Sequence, residues 1–390
     1  MVFIPSVLSS MVEGGLLPSV ALIAAHESSS SALAGLAVSA GLIGYLASNI
    51  PGGIVVSRFG ELRGMMIALS CAGISVLINI FSSSVALLTF GVFLSGFSFG
   101  AYGVARHSFM TLYTPLKVRA RAFSVLGGAF RLGGALGTFL VSGVVVLTGN
   151  VRSVFVVHLA IVILLVIFLF LVRNVQKTDK SPKMLAEQPN SIKAMWEAVQ
   201  SKKGQLITIG SAAGILAAAR VSRSVILPLV GLHVGLKPEQ ITFIIGIGST
   251  LEAFLFYSSG YVMDKWGRVW SAAPALFMVG GAYLLVFFAE SYVAFLAISL
   301  LMGIGNALGS GIILTLGADL AGTSDQTAFI SVWRLVTDIG QSVGPLGMST
   351  LLGITSLTGA AGVMGLTCFA AAGIMIRYLH IYLPNKRAKT

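Results

Sequence analysis

One short pattern occurs twice in this chain and organises the rest of it. The pattern reads Gly53-Ile54-Val55-Val56-Ser57-Arg58-Phe59-Gly60 and, 207 residues later counting from Gly53 to Gly260, Gly260-Tyr261-Val262-Met263-Asp264-Lys265-Trp266-Gly267. The same separation relates three further glycine pairs, which are Gly96 with Gly303, Gly133 with Gly340 and Gly137 with Gly344. A constant offset over four glycine pairs predicts two homologous halves.

The composition places both halves in a membrane. Of the 390 residues, 56% are hydrophobic and only 10% are charged, which exceeds what a soluble core and its polar surface accommodate. Cys71 and Cys368 lie in apolar runs, where we expect neither a disulfide nor a metal site. No cleavable signal peptide is expected, because the first basic residue is Arg58 and such a signal begins with positive charge.

Twelve apolar runs are long enough to cross about 30 Å of hydrocarbon at about 1.5 Å per residue. They lie near residues 2–24, 32–56, 64–84, 86–108, 120–148, 154–173, 205–231, 240–262, 271–289, 292–317, 327–354 and 357–379. The predicted fold is an all-α membrane protein with twelve transmembrane helices in two pseudo-symmetric six-helix bundles. We expect the bundles at 1–173 and 204–390, the second with a short basic tail.

The longest polar stretch, 174–203, is predicted to be a cytoplasmic linker between the bundles. Its last part has the apolar spacing of an amphipathic helix that lies on a membrane surface. The residues that share this apolar face are Ile192, Met195, Trp196 and Val199.

The basic residues predict the orientation. With both termini in the cytoplasm, 19 of the 25 Lys and Arg residues lie on that side, and only Arg152 and Lys237 lie on the other. The positive-inside rule therefore favours cytoplasmic termini in a cell membrane. Topology and attraction to anionic lipid explain the net charge of +12, so we expect no nucleic-acid partner, and a monomer.

The second copy of the pattern, with Arg268 after it, resembles the signature loop of the major facilitator superfamily, and the first copy resembles its counterpart in the first half. The resemblance covers essentially the whole chain and implies a secondary transporter that works by alternating access. The first copy has Ser57 at the acidic position and Glu61 where a basic residue is usual, so we expect the charge network in the second half. The gating residues that the resemblance implies are Gly53, Ser57, Arg58, Gly60, Gly260, Asp264, Lys265, Gly267 and Arg268.

A second motif, Gly340-x-x-x-Gly344-Pro345-x-Gly347, resembles the antiporter motif of drug:proton antiporters. That family places the motif most diagnostically in helix 5, where this chain has Thr138 instead of proline. Ordinary packing of small residues is the alternative explanation. Arg106 lies near the end of the predicted fourth span and is interpreted as a loop anchor.

Seven ionisable residues lie deep in the predicted spans. A charge at the bilayer centre costs about 2.5–3.5 kcal/mol on insertion scales, so we expect these side chains to line a polar cavity. In the family that the chain resembles, helices 1, 4, 7 and 10 line such a cavity and helices 2, 5, 8 and 11 flank it. The candidate substrate and proton pathway is Glu13, Arg131, Arg220, Arg223, Glu252, Arg334 and Asp338.

The repeat relates residues of opposite charge. Glu13 and Arg223 each precede a proline by five residues, and the glycine offset makes Arg131 equivalent to Asp338. We hypothesise that at least one of these pairs forms or breaks as the transporter switches state. Alternatively, Arg334 and Asp338, four residues apart, satisfy each other within one helix.

Glu13 and Glu252 are the candidate proton carriers, with Asp338 third. The three deep acids and four deep arginines favour an anionic or zwitterionic substrate, with Tyr45, Phe97, Tyr102 and Asn306 as possible contacts. The leading interpretation is a proton-coupled antiporter that exports small organic compounds or drugs. The alternatives are a proton symporter for an organic anion or metabolite, and a membrane sensor without flux. No catalytic, metal-ligand or nucleotide-binding arrangement is recognised, so we expect neither an enzyme nor a cofactor.

Overall fold

The computed structural model describes residues 3–114, 116–172, 192–321 and 326–383, which are almost entirely helical. The first helices are α1 (Phe3–Ser28), α2 (Ser31–Ala47), α3 (Asn49–Phe59), α4 (Glu61–Ile80), α5 (Val85–Tyr113), α6 (Leu116–Thr148) and α7 (Ser153–Val172). They are followed by α8 (Ile192–Ser201), α9 (Lys203–Gln205), α10 (Ser211–His233), α11 (Pro238–Lys265), α12 (Val269–Leu285), α13 (Tyr292–Leu308), α14 (Ile312–Ala321), α15 (Gln326–Ile354) and α16 (Leu357–Tyr382). A π-helical turn, Leu206–Gly210, joins α9 to α10.

The predicted membrane fold is confirmed. By length and composition, ten helical segments of the described chain can cross a membrane, or eleven if α2 and α3, which meet at 41°, form one broken span. The 29-residue α15 coincides with the predicted eleventh span but is not among them. It carries Arg334 and Asp338 within its length.

Helix starts follow the repeat. Ser84 and Ser291, which are 207 residues apart, are the N-caps of α5 and α13. Their side-chain oxygens accept hydrogen bonds from the backbone N–H of Leu87 at 3.2 Å and of Ala294 at 3.1 Å. Each cap satisfies one of the N–H groups that a helix start leaves without an intrahelical partner.

The described residues form two compact units. The first contains α1 to α7 together with Leu227–Thr250, and the second contains α8, the chain from α9 to Ile226, and Leu251 onwards to α16. Within the first unit, α1 packs on α6 at glycines. A Cβ on Gly133 would meet the carbonyl oxygen of Val7, and one on Gly137 would meet that of Met11. Only glycine permits this approach of two helix backbones.

The second unit repeats this contact between α10 and α15. A Cβ on Gly340 would meet the carbonyl oxygen of Gly214, and one on Gly344 would meet the backbone and side chain of Ala218. Each of these residues lies 207 positions after its counterpart in the first unit, on both helices of the pair. Packing therefore accounts for the conserved spacing of the glycines within the chain.

This contact fixes the register of the repeat. Both helices of each pair follow the offset of 207, whereas matching Pro18 with Pro228 needs an offset of 210. The proline match is therefore wrong for this part of the chain. In the register set by backbone packing, Glu13 corresponds to Arg220 rather than to Arg223.

The contact of α11 with α12 in the second unit differs in its chemistry from its counterpart in the first unit. In the second unit, the Ser259 hydroxyl donates to the backbone carbonyl of Ser310 at 2.5 Å and lies 3.3 Å from the hydroxyl of Ser271. The counterparts of Ser259 and Ser271, 207 positions earlier, are Gly52 and Gly64. A Cβ on Gly52 would lie 3.1 Å from Cα of Ala101, and one on Gly64 would meet neighbouring side chains. Glycines that permit close packing in the first unit are thus replaced by hydroxyl hydrogen bonds in the second.

The short helix α8 occupies the position of the predicted amphipathic helix, and its Trp196 is 62% exposed. Directly after α8, the Lys202 ammonium donates to the carbonyls of Leu320 at 2.6 Å and Ala321 at 2.5 Å. The same ammonium lies 4.8 Å from the centre of the Phe329 ring. Lys202 therefore caps the C-terminal end of α14, where a positive charge is favourable.

Candidate functional site

Three helices of the second unit bring charged and polar side chains together. Nη1 of Arg223 on α10 lies 2.8 Å from Oε2 of Glu252 on α11. Arg220, one turn earlier on α10, donates through Nε to the side-chain oxygen of Asn306 on α13 and through Nη2 to its backbone carbonyl at 2.8 Å. Asn306 also lies close enough to interact with the Glu252 carboxylate. We call these four residues the Arg–Glu cluster.

The Arg–Glu cluster is largely buried and carries one excess positive charge. Glu252 is 8% exposed and Asn306 is 6% exposed. Arg223 is the direct ionic partner of Glu252, yet no hydrogen-bond donor in the described part of the chain is aligned with Oε2. A buried ion pair with poor alignment compensates only part of its desolvation cost, so it can open when either group gains another partner.

The Arg–Glu cluster has no copy in the first unit. The counterparts of Glu252 and Asn306, 207 positions earlier, are Tyr45 and Phe99, and neither carries a charge. Glu252 lies midway along α11, and the sequence matched Arg223 with Glu13 instead. The ion pair with Glu252 could have been inferred only with the helices in contact.

Arg106 is a charged residue of the first unit whose role the sequence did not reveal. It is only 4% exposed, so the interpretation as a loop anchor is wrong. Its guanidinium carbon lies 4.2 Å from the centre of the Phe130 ring and 5.3 Å from that of Tyr102. Nη1 donates to the Ser9 hydroxyl at 3.4 Å. The signal in the sequence was Tyr102, one helical turn before Arg106 on the same face.

Glu13 on α1 is half-buried and lies within the electrostatic influence of Arg106. Tyr102 is influenced by both of these charges. Arg131 on α6 is half-buried, and its Nη1 donates to the carbonyl of Gly127 at 3.4 Å. The first unit thus brings Glu13 near an arginine that was not among the predicted pathway residues.

Arg334 and Asp338 do not form the expected contact within α15. Arg334 is exposed and Asp338 is half-buried. Gln341 donates to Oδ1 of Asp338 at 3.3 Å. In the described part of the chain, Arg334 acts on Asp338 electrostatically but forms no ion pair with it. Mutual satisfaction within one helix therefore does not explain these two residues.

The loop after α11 contains a charge network around Arg268. Nε of Arg268 lies 2.8 Å from Oδ2 of Asp319 on α14, and Nη1 lies 3.0 Å from the Met263 carbonyl and 3.5 Å from Oδ1 of Asp264. Gly267 has a φ of 99°, which favours glycine. The hydrogen bond that Arg268 donates to Asp319 is the main cause that raises the pKa of Arg268 above its ordinary value. Arg268 thereby ties the end of α11 to α14.

The loop after α3 has no such network among the described residues. Gly60 has a φ of 81° and again needs glycine. The Ser57 hydroxyl donates to a carbonyl of its own helix at 2.9 Å, and Arg58 is exposed. The Glu61 carboxylate accepts a hydrogen bond from Ser108 at 3.1 Å. Glu61 therefore contacts α5 through a neutral partner.

The first glycine of each loop pattern is not at a close contact. A Cβ on Gly53 or on Gly260 would meet no atom within 4 Å. Neither glycine is therefore at a close helix contact in this structure. Lys265 donates to the Tyr261 hydroxyl at 3.1 Å and lies 5.6 Å from the centre of the Trp266 ring, so it too is held within its own loop.

The family model for the Major Facilitator Superfamily matches residues 2–345 and, in a second match, 209–390. The chain belongs to the major facilitator superfamily. Membership makes it a multi-pass membrane transporter rather than an enzyme. The narrower resemblance to drug:proton antiporters is not decided by this match. No curated protein sequence matches the chain.

Solved structures of transporters share the fold of this superfamily member. A peptide transporter, POT, in complex with sulfate is 15% identical with a TM-score of 0.78, over 98% of this chain and 94% of that one. A D-xylose-proton symporter is 15% identical with a TM-score of 0.72, over 100% and 98%. A bacterial homologue of the human lysosomal transporter Spinster is 14% identical with a TM-score of 0.72, over 98% and 94%. At these identities the likeness concerns the fold.

Proposed function

We propose that this protein is a proton-coupled secondary transporter that moves a small organic anion or zwitterion together with a proton by alternating access. The observation that carries the proposal is the partly buried ion pair of Arg223 and Glu252. Arg220 and Asn306 complete the group that responds to the proton.

The coupling follows from charge compensation. A proton on Glu252 removes the negative charge that Arg223 faces. A partly buried guanidinium without an anionic partner retains an uncompensated desolvation cost, so binding of a substrate anion to Arg223 becomes favourable at that moment. The proton and the anion therefore bind together, which is symport.

The net charge of the Arg–Glu cluster also favours symport of an anion with the proton. Two arginines face one carboxylate, and protonation of Glu252 raises the excess from one positive charge to two. An anionic group lowers this excess, whereas a cationic substrate would have to compete with both the proton and Arg223. The proposed substrate therefore carries a carboxylate or another acidic group.

Export of a small organic compound or drug by proton antiport is the second candidate. It is favoured by Pro345 inside α15, next to the glycine pattern that resembles an antiporter motif. The packing of Gly340 and Gly344 against α10 explains those glycines without antiport. For this reason we place antiport behind symport.

We further propose a cell-membrane location, both termini in the cytoplasm and a monomer in the lipid bilayer. The support is the placement of 19 of the 25 Lys and Arg residues at the ends of the predicted spans that face one side. In this orientation the loops of Ser57 and Asp264 lie at the cytoplasmic surface. We propose that these two loops act as gating loops. Arg131, Arg334 and Asp338 are proposed to lie on the pathway of the substrate and the proton.

Transport in vesicles tests the function. The purified protein is reconstituted, a pH gradient of either sign is imposed, and flux of labelled carboxylic acids, amino acids, short peptides and cationic dyes is measured. Symport predicts that an acidic exterior drives uptake of an acidic or zwitterionic compound and that protons enter with it. Proton movement opposite to the substrate would favour antiport, and no flux of any compound would favour a sensor.

A pair of variants tests the coupling residue. Glu252→Gln is expected to retain exchange of substrate across the membrane and to lose accumulation driven by the pH gradient. The control is Glu290→Gln, which changes an exposed carboxylate in the connection between α12 and α13. Gradient-driven accumulation that survives Glu252→Gln would overturn the role of Glu252.

A further inference from the structure

We propose that Arg106 forms a second binding site, within the first unit and separate from Arg223, which takes the carboxylate of a zwitterionic substrate whose ammonium group faces Glu13. This inference rests on the proposed transport function and narrows its substrate class. It concerns the first unit, whereas the Arg–Glu cluster lies in the second.

Arg106 is buried but poorly compensated. Its Nε is buried and has no hydrogen-bond acceptor among the described residues, and the bond to Ser9 is long at 3.4 Å. No carboxylate forms an ion pair with it in the described ranges. A buried guanidinium in a native protein normally has an anionic partner and several hydrogen bonds, so Arg106 retains most of its binding capacity.

The two aromatic rings determine which part of Arg106 stays available. The rings of Tyr102 and Phe130 contact the guanidinium as cation–π partners. Such contacts stabilise the charge without using its N–H groups. The N–H donors can then hold a carboxylate in a bidentate arrangement. Phe130 and Tyr102 come from α6 and α5, so two helices fix the orientation of the guanidinium.

The presence of Glu13 near Arg106 favours a zwitterionic ligand over a simple anion. Glu13 lies one helical turn after Ser9, whose hydroxyl Arg106 contacts, so Glu13 is on the face of α1 that is directed to Arg106. The Glu13 side chain is half-buried. A simple anion on Arg106 would be repelled by an ionised Glu13. A molecule with both a carboxylate and an ammonium group satisfies Arg106 and Glu13 together.

The repeat provides an internal comparison. The counterparts of Arg106 and Tyr102, 207 positions later, are Ile313 and Gly309. In the second unit Gly309 is the C-cap of α13 and Ile313 lies in α14, so neither a cation nor an aromatic ring occupies these positions. Since the fold does not require a buried arginine there, a ligand explains why the first unit carries one.

Binding to the purified protein in detergent tests the inference at fixed pH. The probes are the twenty amino acids and the dipeptides of alanine, leucine and phenylalanine, each compared with its carboxamide and its N-acetyl derivative by ligand-induced thermal stabilisation. Wild-type protein is expected to bind at least one zwitterion more tightly than both derivatives. Equal binding of acid and amide, or no binding by any zwitterion of the panel, would overturn the proposal.

Variants of Arg106 and Glu13 test which residue binds the carboxylate of the ligand and which binds its ammonium group. Arg106→Gln is expected to bind the acid about 10- to 100-fold more weakly and to lose the preference over the amide, because charged hydrogen bonds are removed. Arg106→Lys keeps the charge and is the control for a folding defect in Arg106→Gln. It is expected to recover part of the preference for the acid over the amide. Glu13→Gln is expected to lose the preference over the N-acetyl derivative and to keep that over the amide.

The control for loss of an arginine is Arg152→Gln, which breaks the ion pair with Glu27. It is expected to lower thermal stability without changing the acid-to-amide ratio. If Arg106→Gln behaves in the same way, and the double variant with Glu13→Gln recovers stability, Arg106 is a structural partner of Glu13 and the inference is wrong.

The two proposals fail separately. Loss of gradient-driven transport in every assay, with the acid-to-amide preference of Arg106 intact, would overturn proton coupling alone. Proton-coupled transport that continues unchanged in Arg106→Gln, with an unchanged acid-to-amide ratio, would overturn the inference alone.

Discussion

Nη1 of Arg223 and Oε2 of Glu252 lie 2.8 Å apart and join α10 to α11. The side chains are 27% and 11% exposed, so the pair lies between the surface and fully buried cases. Surface ion pairs contribute about 0–1 kcal/mol, and breaking a buried pair costs about 3–5 kcal/mol. An intermediate value of roughly 2 kcal/mol is expected here.

The first prediction concerns the stability of this pair. Arg223→Leu should lower the free energy of unfolding by roughly 2 kcal/mol, because it leaves Glu252 charged without its direct partner. The double variant R223L/E252L should recover most of this loss, because no carboxylate is left without its direct partner and Arg220 keeps its hydrogen bonds to Asn306. Thermal unfolding in detergent measures both variants. A double variant that is as unstable as the sum of the two single variants would contradict the assignment.

The second prediction concerns Arg268 and its two acidic neighbours. Asp319→Asn should lower stability by about 1 kcal/mol, whereas Asp264→Asn should change it by less than about 0.5 kcal/mol, because the Asp264 side chain is 83% exposed. Thermal unfolding at low and high salt separates the two. Equal losses for Asp264→Asn and Asp319→Asn would contradict the geometry.

The effect of pH on this network follows from Arg268. Its pKa is raised on folding, mainly by the hydrogen bond that it donates to Asp319. The stabilisation is therefore complete below the ordinary arginine pKa and is lost only as the pH rises through the higher folded value. Accordingly, the stability loss of Arg268→Ala should be constant between about pH 6 and pH 9, where arginine is protonated.

The third prediction separates packed from open glycines. Gly137→Ala and Gly344→Ala should each cost about 1–3 kcal/mol, since the new methyl group meets the backbone of a neighbouring helix. Gly53→Ala and Gly260→Ala are the matched controls, because nothing lies within 4 Å of the new Cβ. Both controls should be neutral or stabilising by up to about 1 kcal/mol.

The controls also carry a functional readout. If Gly260→Ala keeps its stability but loses transport, the close approach of this glycine occurs in another state of the transport cycle. If Gly137→Ala is as stable as wild type, the close contact of α1 with α6 is wrong. Melting temperature and vesicle transport are measured on the same preparations.

The architecture could be predicted because it follows from regular spacing. Gly137 and Gly344, which are 207 residues apart, make equivalent helix contacts in the two units. The length of the apolar runs predicts where the spans lie. Individual pairings could not be predicted, because a contact between helices depends on register and rotation. The proline match placed the counterpart of Glu13 one helical turn too late in the second unit. The burial of Arg106 depends on Phe130, which lies on another helix, so it could not be predicted from the sequence around Arg106.

The last prediction concerns Lys202, which caps α14. Lys202→Met removes the hydrogen bonds to the Leu320 and Ala321 carbonyls and the contact with Phe329. The expected cost is about 1 kcal/mol, with faster hydrogen exchange confined to the C-terminal turn of α14 and the start of α15. The matched control is Lys203→Met, because Lys203 is exposed and is the adjacent lysine. Similar exchange at α14 in both variants would show that Lys202 does not hold this helix end, since only the loss of a specific cap distinguishes the two lysines.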